Sequence, residues 1–187
     1  MNNMIRIQLL CMLLPLTVCC QPTKAKQEKY TSKQMDDFLG QITTHAGTSI
    51  SSYTEYKREP TDEFYIVTRY PLSKEKLKEY NQNDGTLQNS ADDISDFATY
   101  TVKNYELIDE KDNTLQILDH GRGIYLQEMG LWEYDSILCQ NLGIDIKLNQ
   151  HYEKLKGFIT VEFEMPNDNR KAVKIPVDIS IHDKGPE

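Results

Sequence analysis

Cysteine is scarce in this chain, and its placement is uneven. Three of the four cysteines, Cys11, Cys19 and Cys20, lie near the N-terminus, and Cys139 alone falls in the body of the chain. A scaffold held by disulfides is thereby excluded. Cys139 ends the apolar run Ser136-Ile137-Leu138-Cys139, so it is expected to be a small buried residue rather than a nucleophile. Long hydrophobic runs are also missing. Beyond Cys20 no segment approaches the roughly 20 apolar residues that a spanning helix needs. Positive charge is in deficit, with 21 basic against 29 acidic residues and a formal net charge of −8. Such a surface repels nucleic acid and anionic lipid, so no nucleic-acid partner is expected. A basic partner would suit it better. The four histidines, His45, His120, His151 and His182, have no second histidine or cysteine at metal-ligand spacing. No Gly-x-Ser-x-Gly elbow surrounds Ser136 or any other serine. Nothing selects a catalytic carboxylate pair from the acids. Catalytic residues, cofactor and metal are therefore all assigned as none.

What is present begins with the N-terminus. Arg6 is the only charge before a short apolar core, Leu9-Leu10-Cys11-Met12-Leu13-Leu14-Pro15-Leu16. Thr17, Val18, Cys19, Cys20 and a polar stretch follow. A basic start, a short apolar core and a small-residue exit make up a secretory signal. Leu16-Thr17-Val18-Cys19 resembles the bacterial lipobox, with Val18 in place of the usual small residue; Cys20 offers an alternative frame. Permissive lipoboxes of this kind are similar to those of Bacteroidetes lipoproteins. The resemblance covers the first twenty residues. It implies a Gram-negative envelope lipoprotein whose lipidated Cys19, or Cys20, anchors it in a membrane, on the periplasmic side or at the outer membrane. The expected divisions are a signal over 1–18, a flexible tether over 19–30 and one β-rich domain over 31–187, long enough to bury its own core.

Along that domain, Thr31 and Gln34 form a capping-box pattern. Met35, Phe38, Leu39, Ile42 and Ala46 then recur at helical spacing, and Gly47 is the expected stop. A short strand is expected around 50–56, a strand over 64–70 and a short helix over 73–80 capped by Ser73. The polar stretch 81–95 reads as a loop. Strands are expected over 97–108, 113–118, 122–129, 131–139, 144–148, 157–165 and 172–181, separated by turns such as Asn141-Leu142-Gly143. Strict alternation at Ile159, Val161, Phe163 and Met165, and again from Val173 to Ile181, marks two strands with one dry face. Glu162 and Glu164 are expected to face Lys171 and Lys174. Pro176 places the last strand at an edge. The fold class is α+β or mostly β: an antiparallel β-sandwich or open barrel with one or two N-terminal helices.

Two stretches invite a functional reading. Asp119-His120-Gly121-Arg122-Gly123 gathers an acid, an imidazole and a guanidinium in one turn, fit for an anion or a general base. A plain glycine turn between strands is the favoured account. Trp132 and Tyr134 share one face of a strand, which is either a core face, the favoured account, or a binding surface. Eleven tyrosines suit interfaces and sugar-binding surfaces, although strands also favour tyrosine. The resulting expectation is a non-catalytic envelope lipoprotein that binds a protein or glycan through an acidic, tyrosine-rich β-domain. The alternatives are an immunity protein that neutralises a basic toxin and a small envelope hydrolase.

Overall fold

The computed structural model describes residues 29–87, 93–120 and 124–182. The signal, Cys19, Cys20, most of the tether and Arg122 lie outside them.

The first helix, α1 (Ser32–Thr44), starts at the expected box. Gln34 N donates to Thr31 Oγ1, and Thr31 N donates to Gln34 Oε1 at 2.9 Å. Met35, Phe38, Leu39 and Ile42 are buried, and the helix packs against the strands Thr61–Pro71, Lys154–Glu164 and Arg170–Ser180. The helix stops earlier than its apolar stripe suggests. His45 is the C-cap, and Thr68 Oγ1 donates to the Ile42 carbonyl at 2.5 Å. That bond ties a late helical carbonyl to the sheet, and Gly47 opens a strand, β1 (Gly47–Ser49).

The strand expected at 50–56 is instead a short helix, α2 (Ser52–Lys57), because Ser51 caps it: Thr54 N donates to Ser51 Oγ at 3.1 Å. Next come β2 (Thr61–Pro71) and α3 (Lys74–Gln82), the latter capped by Ser73. No residue of α3 is buried. An inner anchor holds it: Lys76 pairs with Asp93, whose carboxylate also accepts the Tyr70 hydroxyl at 2.6 Å. Burial and then Asp93 push the Tyr70 phenol far up, so it stays a donor.

A single 3-10 turn over Ile94–Phe97 precedes β3 (Thr99–Asp109), β4 (Ile117–Asp119), β5 (Gln127–Tyr134), β6 (Ile137–Tyr152), β7 (Lys154–Glu164) and β8 (Arg170–Ser180). They form two antiparallel sheets. In the larger sheet, β2 runs along one side of β6, and β5 and β4 pair in tandem along the other; β1 extends β2 outward. The smaller sheet has the order β3-β7-β8. Phe64, Ile66, Leu142, Ile144 and Ile146 from the larger sheet and Leu107, Ile159, Val161, Phe163 and Ile175 from the smaller share one core. Each is worth about 1.5–3 kcal/mol when fully buried. The protein is a sandwich-like α+β fold, and the sheets do not close into a barrel.

Three sequence expectations are corrected. The strands 131–139 and 144–148 are not separate. The chain reverses at Asp135 and Ser136, both left-handed (φ 50° and 64°), and 137–152 continues as one strand. Asn141-Leu142-Gly143 resembles a turn by composition, but Leu142 is fully buried and pairs with Thr68. Second, the strand expected over 113–118 is limited to Ile117–Asp119 plus a bridge between Thr114 and Ile108. Third, Lys171 and Lys174 are not the partners of the wet-face acids. Glu164 pairs with Arg170 at 2.9 Å and Glu162 with Lys103 at 2.7 Å. Lys174 lies over the Phe158 ring instead, 3.6 Å from its centre. Pro176 sits on β8, an edge strand of its sheet, as expected.

Candidate functional site

Alternation along β2 decides what the outer face of the larger sheet carries. Phe64, Ile66, Thr68 and Tyr70 are buried, whereas Tyr65, Val67 and Arg69 between them are half-buried. Cross-strand register sets Arg69 beside Asn141 of β6, and Trp132 and Tyr134 of β5 beside Cys139 and Ile137. These residues share the outer face. Trp132 is 63 % exposed, so the face shared by Trp132 and Tyr134 is not a core face, and that expectation is corrected.

Here the sheet is roofed into a groove of about 550 Å³, within the usual range for ligand sites. Val67, Arg69 and Asn141 form its floor, Met129, Trp132 and Tyr134 one wall, and His45 with Ser49–Ser52 the other. A bulge between Glu128 and Gly130 aims Met129 across the sheet onto Gly143. The Arg69 guanidinium lies over the Tyr134 ring, its Cζ 3.7 Å from the ring centre, while the Tyr134 hydroxyl is 3.3 Å from Asn141 Oδ1 and donates to it. Stacking of this kind leaves the N–H edge of the guanidinium free for a ligand. Arg69 forms no ion pair among the described residues.

Electrostatics within the groove follow from Arg69 and partial burial. Burial first, then the Arg69 charge, pulls the His45 imidazole below its ordinary value. Burial pushes the Cys139 thiol up, against a smaller opposing pull from Arg69. Cys139 is 5 % exposed, the inert buried thiol expected of its apolar run. Among the described residues no carboxylate lines the groove, a departure for a chain of net charge −8.

Asp119 and His120 are elsewhere. Asp119 closes β4, and its Oδ1 accepts the His120 N–H at 2.8 Å. Tyr100 donates to the His120 carbonyl and meets its ring edge-on. Asp119 faces a smaller hollow of about 190 Å³ beside Glu63, Asp145 and Lys147. Lys147 pairs with Glu63 at 3.2 Å and with Asp62 at 3.5 Å. Both partners, Glu63 first, raise its amino group above its ordinary value. Tyr65 borders both hollows. The structure thus unites Trp132 with Tyr134 and separates them from Asp119 and His120.

Sequence reasoning missed Arg69, Met129, Asn141 and His45 as members of the groove. One local signal existed: Arg69 interrupts the aromatic and apolar strand Phe64–Tyr70 on its odd-numbered face. Tyrosine abundance proved a mixed guide, since Tyr70, Tyr100 and Tyr152 are buried in the core. Among the described residues no group of three His, Cys, Asp or Glu is placed to hold a metal, and no helix is long and apolar enough to cross a membrane.

These features define a two-sheet α+β sandwich with an aromatic, arginine-bearing groove on its outer face. No family model, curated protein or solved structure matches the chain.

Proposed function

We propose that this protein is a non-catalytic binding lipoprotein of the cell envelope, whose domain holds its ligand in the outer-face groove. One observation carries the reading: an exposed Trp132 stands beside an arginine that lies over the Tyr134 ring and has no acidic partner among the described residues. Trp, Tyr and Arg are the residues that most often dominate recognition sites, and here they converge in a concave space. The lipid at Cys19 or Cys20 supplies position, and the linker that follows supplies reach.

Trp132 is the sole tryptophan of the chain, so its fluorescence reports on the groove directly. Titrating the purified protein with fractionated envelope glycans is expected to shift and quench that emission. Calorimetry on Trp132→Ala should show the binding lost. Binding that survives this substitution would place the ligand elsewhere. In the same preparations, acyl mass on the N-terminal peptide is expected for the full chain and absent from the Cys19→Ala, Cys20→Ala double variant.

A toxin-neutralising role is the second reading. It is favoured by the net charge of −8 and by the carboxylates of Asp62, Glu63, Asp119 and Asp145 around the smaller hollow. A basic protein held there would be released by salt and would ignore changes at Trp132.

A further inference from the structure

We infer that the groove is a receptor for an acidic saccharide, with a sugar ring resting on Trp132 and its carboxylate held by Arg69. This rests on the binding reading above and assigns it a ligand class. Three features select that class.

The first is the state of Arg69. A guanidinium stacked on an aromatic ring keeps its in-plane N–H fork, and that fork matches a carboxylate in two parallel hydrogen bonds. The Tyr134 ring supports the Arg69 guanidinium, whose Cζ lies 3.7 Å from the ring centre, and Asn141 in turn engages the Tyr134 hydroxyl. The donor is held in place before a ligand arrives, which lowers the ordering cost of binding. Among the described residues no acidic side chain lines the groove to compete for it.

The second is the mixture of the walls. Trp132 offers a broad apolar face, 63 % exposed, and Met129 offers a soft apolar edge. Opposite them stand the short polar side chains of Ser49 and Ser52. The Ser49 hydroxyl donates to the Ile50 carbonyl at 3.2 Å and keeps its lone pairs as acceptors, and the exposed Ser52 adds a second polar edge that a purely apolar ligand would not use. A pyranose ring presents C–H groups on one face and hydroxyls around its rim, so it matches both walls at once.

The third is charge contrast. Among the described residues the groove carries a cation and no acid, on a protein of net charge −8. A large polyanion would be repelled by the rest of the surface. A saccharide with one or a few carboxylates, its remaining groups neutral, gains the Arg69 contact and meets less of that repulsion.

The test uses the full mature chain and a panel of uronic-acid and sialic-acid oligosaccharides. Each is compared with its methyl ester, which keeps the ring and removes the charge. An acidic tetrapeptide is the control of a different class. Trp132 emission and calorimetry are the readouts. An acid form is expected to bind about tenfold or more tightly than its ester. Arg69→Gln should abolish that difference while circular dichroism and Tm remain those of a folded protein, and Arg69→Lys should restore only part of it, because a point charge lacks the fork. Equal binding of acid and ester, both lost in Trp132→Ala, would overturn the carboxylate assignment and leave the glycan-binding reading intact. Preference for the tetrapeptide over every saccharide would overturn the ligand class. Silence from the whole panel would overturn the inference.

Discussion

Arg69 illustrates how one side chain acquires a role from its surroundings. On a strand its charge requires only exposure. In this protein it is half-buried over Tyr134, and its field reaches His45 and Cys139. At this scale the expected outcome concerns His45. Its depressed value has two causes, burial first and Arg69 second. Replacing Arg69 by Gln removes the second and leaves the first. The imidazole should therefore titrate at higher pH in Arg69→Gln than in the parent, followed by NMR of the His45 ring protons. An unchanged titration would mean that the guanidinium does not face His45 in solution.

At the scale of elements, β6 organises the larger sheet. Its 16 residues pair with β2 on one side and with β5 and β4 on the other. Two glycines show how unequal such positions are. Gly157 in β7 has φ 134°, a region that side-chain-bearing residues avoid, and a Cβ there would overlap the backbone carbonyl of Glu106 on β3. Backbone cannot retreat without unzipping the pair. Gly157→Ala should cost about 3 kcal/mol or more, a fall in Tm of roughly 6–12 °C for a domain of this size. At Gly143 the obstacle is the Met129 side chain, which is flexible. Gly143→Ala should cost only about 1 kcal/mol while moving Met129 and altering ligand affinity. Thermal unfolding of the two variants checks the contrast; similar losses would contradict it.

Across the whole molecule, one acid closes its own turn and its neighbour ties that turn to a distant one. Asp109 at the end of β3 accepts from Lys111 N, Asn113 N and Asn113 Nδ2, each at 2.8 Å. Glu110 accepts from Glu153 N at 3.1 Å and Lys154 N at 3.2 Å in the turn between β6 and β7. Asn113 holds the Asp109 carboxyl below its ordinary 3.8. Backbone N–H donors, its own first and then those of Glu153 and Lys154, hold Glu110 below 4.5. A folded-state value below the unfolded one favours the native fold wherever the unfolded group is ionised. That stability is complete above the ordinary carboxylate range and is lost as pH falls through the lowered folded values. The urea midpoint should accordingly hold steady from about pH 7 to about pH 5 and decline below about pH 4.5. Glu110→Gln should lower the plateau and flatten the decline, because a neutral amide no longer carries the linkage. A decline of the same depth in both proteins would show that Glu110 has no part in it.

Local chemistry was legible in the sequence wherever one residue governs its own neighbourhood. The Thr31–Gln34 box, the Ser73 cap, the alternating dry faces of β7 and β8 and the edge position of Pro176 depend on side chains within a few residues or on a period of two, and all are present in the structure. The α+β sandwich-like class follows from the same patterns. Tertiary structure decided what depends on pairing. Asp135-Ser136 turns and Asn141-Leu142-Gly143 does not, because burial of Leu142 between the sheets outweighs its neighbours' preference for turns. Glu162 found Lys103 on β3, some sixty residues away in sequence, rather than a lysine on β8. The groove belongs to this second group. Arg69 of β2, Trp132 and Tyr134 of β5 and Asn141 of β6 become neighbours only through the register of β2 and β5 on β6, and the end of α1 brings His45 to them. Periodicity shows which side of a strand a residue occupies, whereas the strands beside it, and hence what the residue meets across the sheet, are chosen by the burial of the whole core.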